Sequence, residues 1–208
     1  MSPLFKGISE KDKNKLFTLL KSHFYTFDVN QNIIPIIQND NIIGIIDEGS
    51  VDIIRINYNG DKTLIETIEK DDVIGTNISS LYNNELEIIT KEKTKVIIIN
   101  YKNLISEEHI NKRFYNIFIQ NLFSIINDKF KERNDRISIL TNKTIRNRLL
   151  EYLNVNAVNG SRYIYLPSTF SDLANYLGVD RSAMTRELRY LKEEGFIEIK
   201  GKRITKLY

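Results

Sequence analysis

The chain has 208 residues, with 30 Lys+Arg against 27 Asp+Glu, a formal net charge of +3 and no cysteine. That length suits one large or two small domains, and a chain without cysteine has no disulfide, zinc–thiolate site or cysteine-ligated iron–sulfur cluster. The sequence shows no signal peptide and no unbroken apolar run long enough to span a bilayer, so a cytoplasmic protein with no membrane partner is expected.

Residues 4–21 read as a short helical entry, with Leu4, Phe5, Ile8, Leu16, Leu19 and Leu20 as its apolar points. From Phe24 to Asn100 short β-branched runs recur between turn signals: Asn32–Gln38, Ile42–Ile46, Ser50–Asn57, Lys62–Ile68, Glu87–Thr90 and Val96–Tyr101. Asn59-Gly60 is a hairpin turn signal, and Gly49 and Gly75 mark further turns. Many short strands at this spacing predict an antiparallel roll or barrel.

A roll of this kind also occurs in metal-dependent enzymes, which need histidines and a carboxylate converging inside the barrel. Only His23 and His109 exist here, one before the roll and one after it. No paired carboxylates, nucleophile–base pair or glycine-rich phosphate loop appears either, so neither catalysis nor a metal site is expected.

Ser106-Glu107-Glu108 offers a capping serine and acids in a first turn, predicting a long helix to about Asn134. At ~1.5 Å per residue it would span roughly 43 Å. Its apolar residues are Ile110, Phe114, Tyr115, Ile117, Phe118, Ile119, Leu122, Phe123, Ile125, Ile126 and Phe130. That is too broad for one buried stripe. Two apolar faces imply two partners, the roll on one side and the same helix of a second subunit on the other. Ile110, Phe114, Ile117, Phe118, Leu122 and Ile125 are assigned to dimerisation.

Near Asp135 a second domain begins. Ile145, Leu149, Leu150 and Leu153 support a helix from about Lys143 to Val158, Asn159-Gly160 turns the chain, Tyr163 to Leu166 makes a small strand and Pro167 follows. Thr169 and Asp172 then form a T-x-x-D variant of the capping box. Leu173, Ala174 and Leu177 share one face of the helix it starts, and Gly178 stops that helix. Asp180 caps a second helix. Met184, Leu188 and Leu191 are spaced for burial, which leaves Arg181, Ser182, Thr185, Arg186 and Arg189 outward. Phe196 to Lys200 and Arg203 to Leu207 read as strands joined at Gly201-Lys202. Two short helices and a hairpin make a winged helix-turn-helix, whose second helix can enter a major groove.

Charge supports that placement. Residues 1–100 hold 11 basic and 15 acidic side chains, whereas residues 101–208 hold 19 and 12. The last 28 residues alone hold 8 and 4. Cations concentrate where phosphates would be met.

The run G-V-D-R-S-A-M-T-R-E-L-x-x-L-K-E-E-G-F-I, followed by K-G-K-R-I-T, resembles the CRP/FNR family of bacterial transcription regulators. D-E-G-S-V-D-I-I-R-I (47–56) and K-D-D-V-I-G (70–75) resemble two recurring turns of that family's sensor domain. The resemblance implies an α+β fold: an N-terminal antiparallel β-roll of the jelly-roll, cyclic-nucleotide-binding type in residues 1–105, a long dimerisation helix and hinge in residues 106–135, and a C-terminal winged helix-turn-helix in residues 136–208. It also implies a homodimer on double-stranded DNA, with RNA polymerase as a further partner if the protein activates.

Base readers are then Arg181, Ser182, Thr185 and Arg186. Thr169, Ser171, Arg189, Lys200, Lys202 and Arg203 are placed for phosphates, which position without specifying. The family often has glutamate where Ser182 stands; glutamate accepts from cytosine N4, so the preferred half-site should differ here. Cyclic-nucleotide-binding members carry a glycine–glutamate pair and, about ten residues on, an arginine followed by serine or threonine. The matching positions are Gly75, Thr76, Leu86 and Glu87. Leucine cannot pair a phosphate and Glu87 would repel one, so cyclic AMP is not expected as effector. Without cysteine the iron–sulfur mode is excluded, and with only His23 and His109 no haem is expected. The alternative reading is a ligand-sensing roll whose helix-turn-helix contacts protein.

Overall fold

Strands of the first half alternate their side chains between two separate cores, as the two-residue period of a pleated strand requires. A computed structural model of the chain describes residues 2–37, 41–75, 85–157, 161–166 and 169–208. Two units are defined, Met1–Asp128 and Lys129–Tyr208.

The first unit opens with a 3₁₀ turn (Pro3–Phe5) and α1 (Glu10–Leu19), whose N-cap Ser9 accepts a hydrogen bond from the Asp12 amide. There follow β1 (His23–Phe27), α2 (Ile34–Ile37), β2 (Ile42–Glu48), β3 (Val51–Ile56), β4 (Lys62–Ile68), β5 (Val73–Gly75), β6 (Leu86–Thr90), β7 (Thr94–Asn100) and α3 (Tyr101–Leu104). The strands form a 4-stranded sheet in the order β1-β7-β2-β5 and a 3-stranded sheet in the order β4-β3-β6. Every pairing is antiparallel.

On β7, Val96 and Ile98 join an inner core with Ile42, Ile46, Val51, Ile53, Ile74 and Ile88. Ile97 and Ile99 point the other way, onto Leu4, Phe5, Leu16, Leu20, Phe118 and Leu122. A strand buried on both faces explains the unbroken apolar run Val96–Ile99. Gly49, between β2 and β3, has φ +83°; a Cβ there would lie 2.6 Å from Thr94 Oγ1 and 2.7 Å from the Lys93 carbonyl. Only glycine fits both the backbone and the space.

Three expectations change. Of the expected strand Asn32–Gln38, residues 32–37 do not form one: Asn32 makes an isolated bridge to Ile89, Ile34–Ile37 is helical, and Gln38 lies outside the described residues. The Asn32 side chain accepts from the Ile34 amide at 3.0 Å, and Pro35 in the first turn fixes a helical φ. The long helix α4 runs Arg113–Thr141, 29 residues, and does not begin at Ser106. Glu107–His109 is a separate 3₁₀ turn and Ser106 makes no side-chain cap bond. The Asn116 side chain donates to the Ile110 carbonyl, and the Tyr115 hydroxyl donates to the Leu104 carbonyl at 2.6 Å, so the approach segment is tied down outside the helix. At its other end α4 continues past Asn134 because Ile139 is buried in the core of the second unit. The third change concerns dimerisation: Phe118 and Leu122 are buried against their own roll, and Ile110 precedes the helix. Exposed on α4 instead are Phe123 and Ile126 within the first unit, at 64% and 44%, and Phe130 and Ile137 within the second, at 65% and 59%.

The second unit contains α5 (Ile145–Val155), β8 (Tyr163–Tyr165), α6 (Phe170–Leu177), α7 (Arg181–Glu193), β9 (Ile197–Lys200) and β10 (Arg203–Lys206). Its sheet has the order β8-β10-β9. Ile139, Leu149, Leu153, Leu173, Leu177, Met184, Leu188, Leu191, Ile197 and Ile204 fill one core. Asn159-Gly160 and Pro167 lie outside the described residues. Among those described, no helix is long and apolar enough to cross a membrane.

Candidate nucleic-acid interface

Local chemistry fixes α6 and α7 before any packing is considered. Thr169 and Asp172 form a full capping box: the Thr169 hydroxyl accepts from the Asp172 amide, and the Asp172 carboxylate accepts from the Thr169 amide at 2.9 Å. Gly178 ends α6 at φ 62°. The Val179 amide donates back to Ala174, which closes the turn. Asp180 Oδ1 then accepts from the Ala183 amide at 2.8 Å and starts α7. The apolar residues between these caps do the rest. Leu173, Ala174 and Leu177 of α6 and Met184, Leu188 and Leu191 of α7 are all buried.

Arg181, Ser182, Thr185, Arg186 and Arg189 are thereby exposed on α7. Among the described residues neither the Arg181 nor the Arg186 side chain has an ion-pair or hydrogen-bond partner, so both guanidinium forks are available. Thr185 Oγ1 donates to the Arg181 carbonyl at 2.8 Å, leaving its hydroxyl oxygen as an acceptor. Arg189 reaches Glu193 at 3.7 Å and lies over the Tyr190 ring.

Of the residues assigned to phosphates, Thr169 is exposed but its hydroxyl also donates to Asp172 at 2.7 Å, so its hydrogen is committed to the cap. Ser171 is half-buried one residue into α6. Lys200 pairs with Glu198 at 2.9 Å, Lys202 is exposed at the hairpin turn, and Arg203 sits over the Tyr163 ring at 5.8 Å. Gly201 has φ 61°, the left-handed geometry that a two-residue hairpin turn demands. Recognition helix and hairpin thus carry their cations on the surface of one unit.

Two arginines of α5 were not singled out by sequence. Arg148 donates from Nε to the Asn142 carbonyl at 2.9 Å, and from Nη1 to the Leu177 and Gly178 carbonyls at 3.0 and 3.2 Å. It therefore binds the negative end of the α6 dipole and the turn itself. Arg146 holds Glu187 of α7 at 3.4 Å and, more tightly, Glu194 beyond it, with Phe196 under the guanidinium. Glu194 is accordingly held below the usual carboxylate range, chiefly by its hydrogen bond to Arg146. The available signal was two arginines inside the apolar pattern of the helix that precedes the capped helix pair.

In the roll, Gly75 lies at the end of β5 and Thr76 lies outside the described residues. Leu86 is buried in the inner core, and Glu87 is paired with Lys62 at 2.6 Å. His23 is exposed on β1, and His109 is buried against Tyr115, ring centroids 5.4 Å apart.

Residues 147–207 match the Crp-like helix-turn-helix domain. No curated protein matches the chain. Among solved structures, the chain is similar to a cyclic nucleotide-binding domain containing protein from Listeria monocytogenes EGD-e, with 22% identity, TM-score 0.54, 95% of this chain and 98% of that chain covered. It is similar to a double mutant of CooA from Carboxydothermus hydrogenoformans, with 18% identity, TM-score 0.53 and coverage of 91% and 85%. CprK complexed with OCPA gives 15% identity, TM-score 0.58 and coverage of 96% and 92%. The fold is therefore shared with these structures: antiparallel sheets, a long helix and a C-terminal helix-turn-helix. Within it, the C-terminal segment is a Crp-like helix-turn-helix domain, the kind found in CRP/FNR transcription regulators.

Proposed function

We propose that this protein is a cytoplasmic, homodimeric, sequence-specific DNA-binding transcription regulator, not an enzyme, and that cyclic AMP is not its effector. The observation that carries this reading is the pair of exposed guanidinium groups, Arg181 and Arg186, without ion-pair or hydrogen-bond partners among the described residues, on the outward face of an α7 capped by Asp180. Arginine there can bond bidentately to guanine O6 and N7. Ser182 and Thr185 lie beside them; Lys202, Lys200 and Arg203 supply phosphate contacts from the hairpin.

Dimerisation runs through the exposed face of α4. Phe123 and Ile126 of the first unit lie three residues apart on that helix, and leaving such side chains in water is unfavourable by roughly 25 cal/mol per Å². A twofold dimer reads a near-palindrome with half-sites about one helical turn apart, roughly 34 Å. Two features support the effector statement: Leu86, at the position of the phosphate-pairing arginine, is buried in the roll core, and Glu87, at the position of the serine that follows it, carries a carboxylate paired with Lys62.

The test is binding of the full chain to selected duplex sites by anisotropy across a salt series. A dimer contacting several phosphates loses affinity steeply with salt. Arg186→Ala should cost about 1–3 kcal/mol on the selected site and relax one base position. Equal loss on specific and random duplexes would contradict the assignment of Arg186 to base reading. Calorimetry with cyclic AMP checks the effector statement, which saturable micromolar binding overturns.

A further inference from the structure

The outer face of the small C-terminal sheet carries an aromatic–cationic strip that the duplex-reading surface of α7 does not use. Ile164 of β8 faces Ile204 of β10, and Ile204 faces Ile199 of β9; Ile164 and Ile204 are core residues. Their neighbours in each strand must therefore point away from the core. The register gives two outward rows. One runs Tyr165, Arg203, Lys200; the other runs Tyr163, Thr205, Glu198.

Both tyrosines are open to solvent, Tyr163 at 41% and Tyr165 at 64%. Their ring centroids are 5.8 Å apart, and the Arg203 guanidinium lies 5.8 Å from the Tyr163 ring. Lys202 stands at the adjoining turn and Arg162 immediately precedes β8; both are exposed. Glu198 is the one acid in the two rows, and Lys200 already pairs with it.

We propose that this face binds unpaired nucleic acid, with bases stacked on Tyr163 and Tyr165 and the backbone held by Lys202, Arg203 and Arg162. The chemistry favours this occupant over a protein. Two rings on a flat sheet face offer stacking surface that every base can use, and a cationic border selects a polyanion. An apolar protein patch would find few aliphatic contacts here. Recognition is expected to be tolerant of sequence and steeply dependent on salt, since among the described residues no buried polar side chain lies on this face to read a base edge. Lys202 and Arg203 are shared with the duplex phosphate contacts of the proposed function, whereas Tyr163 and Tyr165 are not, so mutation of the tyrosines separates this site from base reading by α7.

The experiment measures anisotropy of a labelled oligothymidylate of roughly 12 nucleotides, a length suited to one such platform, titrated with the full-length protein. Tyr165→Ala should raise the dissociation constant about tenfold and the Tyr163→Ala/Tyr165→Ala pair further, while Tyr165→Phe should stay within about twofold because the ring is kept. Arg186→Ala should leave this binding unchanged while weakening the duplex site. Melting curves of the exposed-residue variants confirm that the fold is intact. The proposal is overturned if the wild type does not bind the oligonucleotide, or if the double alanine variant binds it as the wild type does. It is also overturned if polyglutamate displaces the oligonucleotide as well as an unlabelled strand does, which would mark a surface for acidic protein.

Discussion

Replacing Arg148 with methionine keeps the apolar stem and deletes the guanidinium. Three carbonyls lose donors: Asn142 at 2.9 Å, Leu177 at 3.0 Å and Gly178 at 3.2 Å. Hydrogen bonds from a charged donor contribute about 1.5–3 kcal/mol net when shielded, and a cation at a helix C-terminus adds about 0.3–1. Arg148 is only half-buried, so water takes up part of what is lost and the cost is set at about 2 kcal/mol. For a domain of this size 1 kcal/mol moves the melting point by about 4–8 °C, so the variant should melt about 8–16 °C lower. The assay is a circular dichroism melt of the full chain, following the transition of Lys129–Tyr208. Arg148→Lys should recover less than half of the loss, because an ammonium cannot span three carbonyls in the fork geometry. A drop below about 2 °C for the methionine variant refutes the reasoning that this side chain fixes the turn between α6 and α7.

Other outcomes follow from the same geometry. Gly49→Ala should destabilise the roll by more than about 2 kcal/mol, read by urea unfolding, because the backbone is at φ +83° and the new Cβ meets Thr94 and Lys93. Asp180→Ala should cost about 1 kcal/mol in the same assay and weaken duplex binding, since the Ala183 amide loses its cap. Glu194 has a lowered folded-state pKa through Arg146, so its stabilising effect is present above the ordinary value of 4.5 and is lost as pH falls through the lowered one. Arg146→Gln should therefore flatten the acid limb of stability against pH, measured by melting between pH 6 and the acid transition. An unchanged limb would show that the pair does not couple folding to protons.

The helix-turn-helix was legible because its signals are local. A threonine, an aspartate three residues on, a left-handed glycine and a second aspartate each act within one turn of chain. The spacing of Leu173, Leu177, Met184 and Leu188 then names the buried face. Where tertiary contacts decide, the sequence is less direct. β1 (His23–Phe27) and β5 (Val73–Gly75) carry no alternation; their strands exist because β7 and β2 offer hydrogen-bond edges. The stretch Ile33–Ile37 has strand composition, yet Asn32 and Pro35 turn it into a helix. On α4 the abundance of apolar residues announced two faces without saying which was which. Packing of Phe118 and Leu122 under the roll assigns one face, and Phe123 is left exposed on the other. Arg146 and Arg148 were invisible for a related reason: apart from Asn142, their hydrogen-bonding partners lie 29 to 48 residues away along the chain.

The proposed function requires α7 to read bases through Arg181 and Arg186. Its most direct test is a missing-contact footprint of the full chain on a duplex chosen by selection from random sequence. Two protected guanine-containing half-sites about one helical turn apart are predicted, with contact at one guanine per half-site disappearing in Arg186→Ala. Selection that yields no sequence preference, or a footprint identical in the wild type and the Arg181→Ala/Arg186→Ala pair, would contradict it.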